Sequence, residues 1–125
     1  MGKKIKILYV DDENINIKLF EISFSRTYTV LTANNPIKGL EILSNHDDID
    51  IVFSDMDMPF FNGVQFIQEA KKMHPNIKYY ILSGFEKNAE MQKALDENIM
   101  LNFFKKPINH NEIELVIEKS VAVLD

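Results

Sequence analysis

Five times along this chain a short apolar run is followed by a longer segment with apolar residues at helical spacing, and few folds accept that alternation. The short runs are Ile5 to Val10, Thr29 to Ala33, Ile49 to Ser54, Tyr79 to Ser83 and Leu101 to Phe104. The first, third and fourth are nearly continuous in apolar character, as expected of parallel strands buried on both faces. In the segments between them, Ile15, Leu19 and Ile22 mark a first helical face, and Ile37, Leu40 and Leu43 a second. Val64, Ile67 and Ala70 mark a third, and Met91, Ala94 and Leu95 a weaker fourth. Ile113, Val116, Ile117, Val121 and Leu124 mark a strong fifth. Asn35-Pro36 reads as an N-cap with proline at the first helical position. Asn109 with Glu112 resembles a capping box, and His74-Pro75-Asn76 closes the third helix.

Repeated strand-helix units imply an α/β fold with a parallel sheet covered on both sides. Right-handed crossovers make it an open doubly wound sheet. Ligands then bind beyond the carboxyl ends of the strands, near the point where strand order reverses. A chain of 125 residues, 46% hydrophobic and 26% charged, suits one globular domain, and residues 1–125 are read as one. The absence of cysteine excludes disulfides and thiolate metal sites and fits a cytoplasmic location. No apolar run approaches the roughly 18 residues that span a bilayer, and the N-terminus lacks a signal-peptide core. A net charge of −5 argues against a nonspecific grip on nucleic acid.

The predicted carboxyl edge gathers polar groups from four strand ends. The first strand ends in Asp11-Asp12, followed by Glu13; the third in Asp55, with Asp57 two residues on. The fourth ends in Ser83, and the fifth runs into Lys105-Lys106-Pro107. Taken singly, each has a bland explanation in loop solvation or turn chemistry; together they do not. At an effective dielectric of about 20, two carboxylates about 5 Å apart repel by roughly 3 kcal/mol. A proton or a cation must relieve that strain. Oxygen-only donors point to a hard cation, Mg²⁺ before Zn²⁺ or Cu²⁺, with positions left for water and phosphate oxygens. A lysine and a serine hydroxyl can then hold other phosphoryl oxygens. These are parts for phosphoryl transfer onto a carboxylate nucleophile.

Tyr9-Val10-Asp11-Asp12-Glu13-Asn14, Asp55-Met56-Asp57-Met58-Pro59 with Asn62-Gly63, Leu82-Ser83-Gly84 and Phe104-Lys105-Lys106-Pro107 resemble the motifs of bacterial response regulator receiver domains. The resemblance runs from Ile5 to Leu124. It implies a flavodoxin-like (βα)5 fold with strand order 2-1-3-4-5, and Asp55 as phosphoacceptor. It also implies that Asp12 and Asp55 bind Mg²⁺ (or Mn²⁺) directly, Asp11 largely through water, and Asp57 through its backbone carbonyl. Ser83 and Lys106 would bind phosphoryl oxygens, the lysine being the one immediately before Pro107, with the Lys106–Pro107 bond cis. Ser83 moving toward the phosphoryl group would vacate space for Phe103, the expected switch aromatic. The donor would be a phosphohistidine on a sensor histidine kinase or histidine phosphotransfer protein, and the output a downstream protein or a homodimer. No output domain follows Asp125, which fits either a lone receiver or a piece of a larger regulator or hybrid kinase.

Three features depart from the commonest pattern of that family: Asp57 beside the acceptor, Met100 before the fifth strand, and Gly84 where alanine is frequent and where glycine would loosen the loop. His46, His74 and His110 lack ligand spacing and are read as solvated. Phe60-Phe61 is read as a docking element or a self-packed loop. Leu115, Ala122 and Val123 make the last helix apolar on a second side, as at a partner surface or a packed edge. The main rival is a haloacid dehalogenase-type phosphatase using Asp55 and Asp57, whose motif normally opens the chain rather than falling in its middle. A flavodoxin-like nucleotide module would need a phosphate loop after the first strand. Asp11-Asp12-Glu13 is hostile to a bare anion.

Overall fold

The alternation folds as β1 (Lys6–Val10), α1 (Asn14–Phe24), β2 (Thr29–Ala33), α2 (Pro36–Asn45), β3 (Ile51–Asp55), α3 (Gly63–Met73), β4 (Lys78–Ser83), α4 (Ala89–Asp96), β5 (Asn102–Lys105) and α5 (His110–Ala122). The computed structural model describes residues 4–122. Every strand pair is parallel, and the sheet order is β2-β1-β3-β4-β5. The order reverses between β1 and β3, so the ends of those two central strands mark the binding crevice.

Alternation along each strand sorts the core into two layers. Leu8, Val10, Val52, Tyr79 and Ile81 pack toward α2, α3 and α4, with Leu43, Phe66, Ile67 and Met91. Ile7, Tyr9, Ile51, Phe53, Tyr80 and Leu82 pack toward α1 and α5, with Phe20, Phe24, Ile113 and Ile117. The second layer is largely aromatic: Tyr9 stacks on Phe20 at 4.3 Å and Phe53 on Tyr80 at 5.3 Å. Two phenol hydroxyls fasten α5 to it, Tyr80 pairing with Ser120 Oγ at 2.7 Å and Tyr28 donating to Glu118 Oε2 at 2.7 Å.

The predicted inner face of α1 is wrong. Ile15, Leu19 and Ile22 are exposed, and Phe20 and Phe24 face the sheet, with Ile17 packed against the same layer. Two apolar stripes compete on this helix. The aromatic one wins because each ring buries more area than a branched aliphatic and stacks on Tyr9. On α2, Leu43 is buried and Leu40 partly so, but Ile37 turns outward. The faces of α3, α4 and α5 lie as expected, with Leu124 outside the described residues.

Strand ends shift slightly from the pattern. β3 starts at Ile51 rather than Ile49. The Asp50 carboxylate accepts the Lys6 backbone N–H at 2.9 Å, taking a donor that a longer ladder would use. β3 also retains Asp55 as its last residue, so the acidic side chain is carried by the sheet itself. Asn35 caps α2 and Asn109 caps α5, their carboxamide oxygens accepting from the Lys38 and Glu112 N–H groups. A full capping box, unanticipated, joins Asn62 and Gln65 at the start of α3.

His74 is half-buried rather than solvated, while His110 is exposed as read but is also held by a ring contact. His74 Nε2 lies 2.7 Å from the Leu43 carbonyl, and His110 stacks on Phe24 at 4.7 Å. Phe60 and Phe61 divide the two roles expected of their loop: Phe60 is exposed at φ 73°, while Phe61 packs against the core. Leu115 is exposed; the side chain of Ala122 and all of Val123 lie outside the described residues. No helix among the described residues is long and apolar enough to cross a membrane.

Candidate functional site

Parallel register brings the carboxyl ends of the four strands level, Val10 opposite Ser54, Asp55 opposite Leu82 and Ser83 opposite Lys105. Asp11 and Asp55, from the two central strands, are buried at 0% and 6% exposure, so neither is simple loop solvation. Asp12 is exposed on the rim. One carboxylate oxygen from each of Asp11, Asp12 and Asp55 lies within 4.8 Å of the others. A trio of hard oxygen donors this close fits Mg²⁺ in charge and donor type.

Lys106 reaches into this group. Its ammonium donates to Asp11 Oδ2 at 2.8 Å and to Asp55 Oδ1 at 3.1 Å. Lys105 points elsewhere, pairing with Glu86 and holding that carboxyl below its usual value. The Lys106 N–H donates to the Ser83 carbonyl at 2.7 Å, which ties the residue to the end of β4, and the Lys106–Pro107 bond is cis.

Burial is the main force pushing the Asp55 carboxyl up, from 3.8 to about 6. The Asp11 charge adds to the rise, and Lys106 opposes it. Burial opposes the charge on Lys106 too, but the hydrogen bond to Asp11 and the charges of Asp55 and Asp11 prevail and raise its pKa. At neutral pH the site therefore holds an ionised, poorly solvated carboxylate beside a fixed ammonium.

The loop after Asp55 explains the Asn62-Gly63 pair. Gly63 donates its N–H to the Met56 carbonyl at 2.7 Å, folding α3 back against the strand end. A Cβ at Gly63 would lie 2.5 Å from the Asp55 carbonyl oxygen, so only glycine fits. Asn62 then caps the helix and also reaches Glu90 on α4 at 2.9 Å. Ser83 is 1% exposed, and its hydroxyl accepts the Phe85 N–H at 3.1 Å. Phe103 is half-buried on β5, against the layer that contains Ile81 and Met91. The Asp57 side chain is exposed beside the acceptor, and Met100 is buried. Nothing lies within 4 Å of a Cβ built on Gly84, and its backbone is not left-handed, so the loop does not require glycine there.

Tyr9 was not anticipated. Its hydroxyl donates to Asp11 Oδ2 at 2.6 Å, and burial, with the Asp11 charge, raises its pKa and keeps it a neutral donor. The available signal was parity: residues two apart on a strand share a side.

Comparison with known proteins agrees with this geometry. The family description "Response regulator receiver domain" matches residues 7–118. The sensor kinase CckA of Brucella abortus is 27% identical over 125 residues, covering 99% of this chain and 13% of its own length. Sporulation initiation phosphotransferase F of Bacillus subtilis is 29% identical over 115 residues, covering 91% of each chain. The crystal structure of a response regulator receiver domain protein from Clostridium thermocellum superposes with a TM-score of 0.84 at 26% identity, covering 95% of each chain. The chain thus spans a small part of the kinase and nearly the whole of the phosphotransferase. It belongs to the receiver domain family of response regulators, with the flavodoxin-like fold of that family. Its function is that of a two-component phosphoacceptor, and the haloacid dehalogenase-type alternative is unsupported. Receiver domains are signalling modules that pair with histidine kinases or phosphotransfer proteins.

Proposed function

We propose that Asp55 takes the phosphoryl group from a partner phosphohistidine. The observation that carries this is a buried carboxylate at a strand end, with its pKa pushed up to about 6 and Lys106 3.1 Å away. At pH 7 such a group is mainly ionised, so it can attack, and poor solvation keeps its electron pair available. An Asp55 oxygen forms the bond to phosphorus as the phosphorus–nitrogen bond to the partner imidazole breaks. The Lys106 ammonium offsets negative charge on the transferring group. Asp12 and Asp55 are the direct ligands we assign to Mg²⁺, with Asp11 acting through water and the Asp57 carbonyl completing the protein ligands. When bound, that ion would supply charge neutralisation to the carboxylates and phosphoryl oxygens.

After transfer, Ser83 and Lys106 hold phosphoryl oxygens, and the inward movement of Ser83 gives Phe103 room to move further into the core. Phe103 is only half-buried, so a swing inward would bury more of its ring, which suits a two-state element. The exposed stripe Ile15, Leu19 and Ile22 supports a partner at this edge, because Leu19 lines one hollow together with Lys106 and Pro107. A histidine-bearing partner covering that stripe would sit beside the acceptor. Promotion of its own phosphorylation and dephosphorylation is the only catalysis we assign to the chain.

Incubation with acetyl phosphate and Mg²⁺ tests the assignment. Intact mass should rise by one phosphoryl group, a chelator should prevent the rise, and Asp55→Asn should abolish it. An undiminished adduct in that variant would overturn the choice of Asp55.

A further inference from the structure

Asp11 is the most heavily bonded carboxylate in the site. Its Oδ2 accepts from the Tyr9 hydroxyl at 2.6 Å and from Lys106 Nζ at 2.8 Å, and its Oδ1 accepts the Glu13 N–H at 2.9 Å. The two donors on Oδ2 differ in freedom. Lys106 is a flexible chain that already divides its ammonium between Asp11 and Asp55. The Tyr9 ring is 2% exposed and lies parallel to Phe20, the ring centroids 4.3 Å apart at 2°. One donor can leave; the other is fixed.

We propose that Tyr9 is a positioning residue that keeps Asp11 Oδ2 satisfied when Lys106 turns from it to a phosphoryl group on Asp55. This rests on the receiver reading above. In the resting protein Oδ2 has two donors, and losing one leaves the other. With a phosphoryl group on Asp55, the ammonium is drawn to the phosphoryl oxygens, and Tyr9 becomes the remaining protein donor to Oδ2 of a fully buried carboxylate. A buried charged acceptor left without a donor carries its whole desolvation penalty. The phenol therefore favours the loaded state over the resting one, without touching the phosphoryl group.

Tyr9→Phe keeps the stacked ring and removes only the hydroxyl, so NMR titrations of this variant isolate the effect. With Mg²⁺ alone Lys106 stays on Asp11, and the affinity should remain within about twofold of wild type, since Oδ2 retains a charged donor. With Mg²⁺ and beryllofluoride, a phosphoryl mimic, uptake should weaken about tenfold, the scale of one hydrogen bond to a buried charge. A merely structural role would weaken both titrations alike; that result, or unchanged uptake of the mimic, overturns the proposal. Wild-type protein gives an arm that needs no variant. The Tyr9 Cζ resonance should move on loading as the bond to Oδ2 strengthens, and a resonance unmoved by the mimic also overturns it. A wild-type chain that takes up no beryllofluoride overturns the receiver reading itself, and this inference with it.

Discussion

Replacing Asp55 with Asn should stabilise the metal-free protein, most strongly at neutral pH. Burial pushes the Asp55 carboxyl of the folded protein up to about 6 from its ordinary 3.8, so the folded state binds the proton more tightly. The stabilisation from that proton is complete below pH 3.8 and lost as pH rises through about 6. At pH 7, ionisation of this one side chain costs the folded protein about 3 kcal/mol; at pH 5, where the folded carboxyl retains most of its proton, about 1.5 kcal/mol. Asparagine does not titrate. The gap in unfolding free energy between Asp55→Asn and wild type should therefore favour the variant at pH 7 and shrink by about 1.5 kcal/mol toward pH 5. Urea unfolding in chelator at several pH values between 5 and 7.5 measures this directly, with equal slopes as the check that both chains unfold alike. A gap independent of pH, or one that widens toward acid, would refute the placement of a strained, ionised Asp55 beside Asp11.

Three further perturbations probe other parts of the site. Gly63→Ala places a Cβ 2.5 Å from the Asp55 carbonyl oxygen; urea unfolding should show a loss of about 1–3 kcal/mol, and a neutral result would mean that the α3 start can shift freely. Asp57→Ala removes an exposed charge beside the acceptor and should change the dephosphorylation half-life; identical half-lives would remove Asp57 from the hydrolytic step. Lys106→Ala should leave slow phosphorylation of Asp55 while the beryllofluoride-induced NMR shifts of Ser83 and Phe103 largely vanish; a full wild-type pattern of shifts would deny Lys106 the coupling role.

The strand-helix order and the inner faces of α3 and α5 were legible because one apolar stripe dominates each helix. On α1 two stripes were present, and spacing alone could not rank Ile15, Leu19 and Ile22 against Phe20 and Phe24. The deciding partner, Tyr9, lies on another element, and stacking across elements leaves no trace in local periodicity. Asp11, Asp12, Asp55 and Lys106 could be placed on one rim because strand ends locate residues to within a position or two. Hydrogen bonds inside that rim were not legible in the same way. Strand parity puts Tyr9 and Asp11 on one side without showing the bond between them. The Asn62–Gln65 box has the same spacing as Asn109 and Glu112, so it was within reach of the same reading. Gly84, read as loosening its loop, has no left-handed φ and open space around an added Cβ, so the backbone there does not require glycine.

Trapping the acyl phosphate with borohydride tests the central claim most directly, because the reduction converts a phosphorylated aspartate into homoserine and marks its position. After treatment with acetyl phosphate and Mg²⁺, peptide mass spectrometry should find homoserine at position 55 and nowhere else, with none in a chelator-treated control. Homoserine at Asp11, Asp12 or Asp57 instead, or marking of Asp55 that is indifferent to the chelator, would contradict a metal-assisted transfer onto Asp55.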